Sequence, residues 1–260
     1  MSTSTLAAGG TLDFTGTRAV PLSRLIGVEL RKLGDTRAGK WLLIGIAAIT
    51  VAVITIFFLT ANESDRTFLN FVGITATPQG FLLPVLGVLL VTSEWTQRTG
   101  LVTFSLVPHR GRVVAAKVAA SLIAGAAAIA LALLVATAAT VIGGSPEAWS
   151  GIGAHSFGEF GLLQVMGVLQ GLALGLLFLN SAAAIVTYFV LPTAVSIVAA
   201  LWTALSDVWP WVDLGTAQQP LFSGGDLTGE QWSQLGVATL IWVALPFALG
   251  VVRVLRAEIK

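Results

Sequence analysis

Trp41–Ala61, WLLIGIAAITVAVITIFFLTA, carries no charged residue. A helix needs about 20 mainly apolar residues to cross a hydrocarbon core of about 30 Å, and this stretch meets that need unaided. The rest of the chain has the same character. Of 260 residues, 55% are hydrophobic and 10% charged, against roughly a quarter charged in an ordinary soluble domain. So few charges cannot cover the surface of a water-soluble globule of this size, and lipid must be the solvent for much of it. The expected fold class is an all-α membrane protein.

Five further spans follow from the charge-free stretches. The second is about 77–92, with Pro78 and Gln79 blurring its outer end and Thr92-Ser93-Glu94 closing the other. The third, about 118–142, is rich in alanine. Gly161–Leu205 is uncharged but too long for one crossing. As one helix, at 1.5 Å per residue, it would reach roughly twice the core thickness. The polar pair Asn180-Ser181 is where it folds back, giving spans of about 161–179 and 182–203. The sixth span is about 232–252.

Orientation follows from Lys and Arg, which favour the cytoplasmic side. Arg18, Arg24, Arg31, Lys32, Arg37 and Lys40 precede the first span; Arg98, Arg110, Arg112 and Lys117 separate the second from the third; Arg253, Arg256 and Lys260 follow the sixth. With both ends inside, only Arg66 of the 14 Lys and Arg lies outside. An odd number of spans would strand the basic C-terminus on the wrong side. Trp41, Trp95, Trp202 and Trp232 sit at span ends, where indole rings anchor at the headgroups.

The chain therefore divides into a polar, mobile cytoplasmic tail (1–20) without a cleavable signal, an interfacial segment (21–40) and a six-helix domain (41–260). In Pro21–Gly34, Leu22, Leu25, Ile26, Leu30 and Leu33 share one helical face, with Arg24, Arg31 and Lys32 largely opposite. Glu29 intrudes on the apolar face. Such a helix lies in the cytoplasmic interface. Gly34–Lys40 spells G-x-x-x-x-G-K, but Trp41 stands where a phosphate-binding loop needs Ser or Thr, and no strand precedes it. Lys40 reads instead as a charge pinning the inner end of span one.

Ser93–Lys117, SEWTQRTGLVTFSLVPHRGRVVAAK, is the longest cytoplasmic connection. Its middle, Gly100–Val107, is largely apolar yet lies on the water side between charges. Apolar surface so placed usually takes a partner. A helix there would offer Leu101, Phe104 and Leu106, ending at Pro108. Lying flat on lipid is the simpler alternative.

Glu94, Trp95, Arg98, Thr99, the apolar run that follows, and then Pro108, Arg110, Arg112 and Lys117 closely resemble the coupling-helix region of ABC-2 type transporter permeases. Val28 to Trp41, including Glu29, Arg31 and Lys32, looks like that family's interfacial helix. The six-span layout matches too. One departure is Arg98, where many members have Gly before Thr. The resemblance implies two cytoplasmic ATPase subunits that hold ATP and Mg²⁺, and a second permease copy or paralogue. ATP-driven closure would act through Glu94, Arg98, Thr99, Leu101, Phe104, Leu106, Pro108, Arg110 and Arg112, and through Leu25, Glu29, Arg31 and Lys32. The expected place is a bacterial cell membrane, and the expected function is export.

Other features bear on packing and on rival functions. Gly167, Gly171 and Gly175 form a small-residue stripe suited to close helix approach, inside one subunit or at a dimer seam. Pro84, Pro192 and Pro246 kink their spans, and Gln164 and Gln170 are the main polar groups of span four. Asp207, Trp209-Pro210-Trp211 and Asp213 suggest short interfacial or re-entrant helices in the 203–231 loop. With no cysteine, thiolate chemistry is excluded. His109 and His155 lie in opposite loops, so no metal site is expected, and no span holds an ionisable residue at its centre. The chain is expected to bind no cofactor, no nucleic acid, and to be no enzyme itself. A passive channel or membrane scaffold is the rival reading. An uncharged interior suits hydrophobic or amphipathic cargo better than ions.

Overall fold

The computed structural model describes residues 20–202, 207–222 and 227–257; most of the 1–20 tail, together with Arg18, Asp226 and Lys260, lies outside them. Among the described residues there is no strand. Six helices are long and apolar enough to cross a membrane, the number expected from charge and hydropathy.

A short helix, α1 (Leu22–Asp35), precedes the first of these, α2 (Arg37–Thr60). The break falls at Thr36, whose backbone is extended and whose Oγ1 accepts from the Gly39 N–H at 3.2 Å. A Cβ on Gly39 would overlap the Leu33 carbonyl, so glycine is what allows the two helices to meet so closely. The G-x-x-x-x-G-K stretch is thus an elbow between helices, with Lys40 in the first turn of α2.

The second span, α3 (Phe68–Thr96), starts well before residue 77. Pro78 and Gln79 lie inside it rather than at its end. Gln79 is buried with its amide satisfied: Nε2 donates to Thr50 Oγ1 (3.3 Å) and to the Ala128 carbonyl (3.2 Å), and Oε1 accepts from Gln164 Nε2 (2.6 Å). A polar residue so partnered is a clamp between helices, not a boundary. Two later spans also begin earlier than hydropathy suggests. After a seven-residue helix, α4 (Gly100–Leu106), comes α5 (Arg110–Gly143), which takes in Arg112 and Lys117. Next is α6 (Ala154–Phe178). The hairpin at Asn180 forms as expected. Leu179 closes α6 in the left-handed region (φ 53°), and the Asn180 side chain caps α7 (Ser181–Leu201) by accepting from Ala183 N–H at 3.0 Å.

The expected short helices of the 203–231 loop are present, as α8 (Trp209–Val212), α9 (Leu214–Gln218) and a 3₁₀ turn, Gln219–Phe222. The last span is α10 (Gly229–Thr239), a π-turn at Leu240–Ala244, and α11 (Leu245–Arg256). Trp242, in that π-turn, ties the loop down by donating Nε1–H to the Val212 carbonyl at 2.7 Å.

The core is the seam between α3 and α6, the two most buried spans. The Gly167-Gly171-Gly175 stripe lies along it: Gly167 and Gly171 face Pro84, and Gly175 faces Val88. Gly87 meets the Val168 carbonyl from the other side. The stripe therefore serves packing within one chain. By contrast α7 is the least buried span.

Candidate functional site

Four charged residues converge where α1, α3 and α5 meet. Lys117 Nζ lies 2.7 Å from Glu29 Oε2 and 3.4 Å from Glu94 Oε2, while Lys32 Nζ lies 2.8 Å from both Glu29 Oε1 and Glu94 Oε1. Lys117 also donates to the Leu90 carbonyl at 3.0 Å. Two carboxylates and two ammonium groups thus alternate in a closed, neutral ring. Glu29, Glu94 and Lys117 are almost wholly buried, and Lys32 is about one-third exposed (34%). Taking such charges out of water is costly unless each is paired and hydrogen-bonded. Burial works against the Lys32 ammonium, but its hydrogen bonds to Glu29 and Glu94 outweigh this and hold its pKa above the ordinary lysine value.

Glu29, which reads in the sequence as a flaw in the apolar face of α1, is the hub of that ring. Lys117 is not a loop residue either. It stands two turns into α5, whose helix extends back to Arg110 because Val113, Val114 and Ala116 are buried there.

The turn between α3 and α4 is tight. Thr99 N–H bonds to the Glu94 carbonyl at 2.9 Å, and Arg98 adopts φ 56°, the left-handed backbone that glycine takes without a Cβ penalty. The helix α4 then presents a different face from the expected one. Leu101, Val102 and Leu106 are exposed, but Phe104 is buried. It packs with Val91, Val113, Val114 and Val254 and meets Trp95 edge-on, with ring centroids 6.2 Å apart. Phe104 is thus the plug that seats α4 on the bundle: Leu106, two residues on, falls on the opposite side of the helix, while Leu101, one turn before Phe104, stays exposed in the first turn.

Arg110 and Arg112 hold the two described ends of the chain together. Arg110 Nη1 donates to the carbonyls of Val254 (2.8 Å), Leu255 (3.2 Å) and Ala257 (2.7 Å), closing the C-terminus of α11, and its guanidinium lies over the Phe104 ring. Arg112 donates to the Val20 carbonyl. Both ends therefore lie at the same end of the bundle as the ion-pair ring. Pro108 and Thr99 are exposed at the two ends of α4, and Arg31 is exposed on α1.

Between α1 and α4 runs a groove of about 600 Å³. Leu25, Val28, Val102 and Leu106 form its walls, and Glu29, Lys32 and Glu94 line it too. An object seated in this groove touches α1, α4 and the ring at once. The ring in turn links α1 to α3 and α5. Such an arrangement couples the groove walls to three helices through ion pairs. Among the described residues no cluster of His, Asp or Glu is placed to hold a metal ion. Compared with protein-family models and with curated proteins, the chain matches none.

Proposed function

We propose that the chain is the membrane-spanning permease subunit of an ATP-driven exporter of the ABC-2 type. It sits in a bacterial cell membrane with both ends in the cytoplasm, pairs with a second permease, and is driven by two separate ATPase subunits that carry ATP and Mg²⁺. The observation that carries this reading is the placement of the four-charge ring directly behind an apolar groove and an apolar helix face. Leu101, Val102 and Leu106 offer that face at the end of the bundle richest in Arg and Lys. In a passive channel or scaffold, nothing requires a docking groove wired by buried ion pairs to three helices.

On this reading an ATPase subunit seats against α4 and the α1–α4 groove, and its movement on ATP binding tilts α1. The Glu29–Lys117 and Lys32–Glu94 pairs make α1, α3 and α5 respond together. The apolar interior suits a hydrophobic or amphipathic cargo. The test is affinity purification of the tagged full chain from its native membrane under mild detergent. Co-purification of a nucleotide-hydrolysing subunit, lost in Leu101→Glu/Leu106→Glu, is the expected result. Recovery of the chain without such a subunit from intact membranes counts against it.

A further inference from the structure

A second cavity, of about 250 Å³, lies away from the ion-pair ring, between α3, α6, α7, the α9 loop and the π-turn of the last span. Its lining combines aromatic rings with hydrogen-bond acceptors. Phe81, Tyr188, Phe189 and Trp242 supply the rings; Phe81 and Phe189 lie 5.7 Å apart, and Tyr188 meets Phe189 edge-on at 4.9 Å. No Lys or Arg lines the cavity.

Two polar side chains in its wall are more than nine-tenths buried. Gln170 is 7% exposed, and its amide has no hydrogen-bond partner among the described residues. Asp213 is also 7% exposed. Its Oδ2 caps α9, accepting from Thr216 N–H and Oγ1–H, both at 2.7 Å. Its Oδ1 takes no hydrogen bond among the described residues, and no cation pairs with the carboxylate there. A third acceptor follows from Pro192, which has no N–H, so the Tyr188 carbonyl one turn earlier lacks its helical donor. Trp242 reaches the cavity from a π-turn, a distortion often found where helices build sites.

A carboxylate oxygen and an amide that face a cavity without a protein partner leave acceptor positions open to a ligand. One ligand chemistry satisfies both. An ammonium group brings the missing charge and the N–H donors, and aromatic faces attract cations. We propose that this cavity binds a small organic ammonium ion bearing an apolar group, with the nitrogen held between Asp213 and Gln170 and the apolar part among the four rings. The volume fits a fragment-sized molecule rather than a drug-sized one. The site's chemistry is independent of any ATPase.

The test is isothermal titration of the full chain in zwitterionic lipid nanodiscs with phenethylamine and with its neutral analogue phenethyl alcohol. The amine should bind at least ten-fold more tightly than the alcohol. Asp213→Asn, which keeps the α9 cap because Asn caps as well as Asp, should cost the amine at least ten-fold and leave the alcohol unchanged. Gln170→Leu should cost the amine a few-fold. Equal affinities for the two compounds in the unmutated chain, no binding of either at millimolar concentration, or undiminished amine binding in Asp213→Asn overturns the proposal.

Discussion

Lys117 of α5 and Glu29 of α1, 88 residues apart in sequence, form a buried ion pair at 2.7 Å. Removing one partner of such a pair leaves an uncompensated buried charge, at a cost of about 3–5 kcal/mol, whereas replacing both with apolar groups is far milder. Lys117→Met should therefore destabilise the chain by roughly that amount, and Lys117→Met/Glu29→Leu by clearly less than the sum of the two single changes. The Lys32–Glu94 pair remains intact in the double variant. Thermal unfolding in detergent of the two single variants and the double variant measures the coupling directly.

Lys32 gives the ring a pH signature. Its folded pKa is raised, so its contribution is fully present below the unfolded lysine value and is lost as pH rises through the folded one. Stability should thus be insensitive to this group near neutrality and fall on the alkaline side. Lys32→Met should be less stable at pH 7 and show a shallower alkaline decline than the unmutated chain. Unfolding temperatures followed from pH 7 to pH 11 check the slope.

The α3–α6 seam distinguishes its glycines. A methyl on Gly171 would run into the Pro84 backbone, whereas one on Gly167 would only touch the Pro84 ring at 3.4 Å. Overpacking of this kind costs about 1–3 kcal/mol. Gly171→Ala should lower the unfolding temperature markedly and Gly167→Ala hardly at all, with equal expression as the first readout and thermal unfolding as the second.

At Arg98 the backbone conformation disfavours the side chain. A non-glycine residue in the left-handed region carries a penalty of about 1–2 kcal/mol. Arg98→Gly removes it, at some cost in chain entropy. A gain in stability of up to about 1 kcal/mol is expected, read as a higher midpoint in thermal unfolding.

The number of spans and the Asn180 hairpin were legible because hydropathy, length and turn chemistry are local properties. The start of α3 was not. Pro78 and Gln79 look like a boundary until Thr50, Ala128 and Gln164, from three other helices, satisfy the glutamine amide. The ring was hidden for the same reason: its four members come from segments far apart in sequence. Two signals pointed to it, an acid on the apolar face of α1 and a lysine at the mouth of an uncharged span, and their meaning appears only when the helices are brought together. Phe104 was misplaced because apolar character alone does not say which side of a short helix is covered. Arg110 and Arg112 carry charge that reads as surface, yet they spend it on the chain's own carbonyls.

The most direct test of the account is the ATPase rate of the purified permease–ATPase complex in nanodiscs, with and without Leu101→Glu/Leu106→Glu in the permease. Both residues are exposed, so the fold and unfolding temperature of the isolated chain should be unchanged. The account predicts that the variant no longer holds the ATPase and that permease-dependent hydrolysis falls at least ten-fold. An intact complex hydrolysing ATP at the unmutated rate would contradict it.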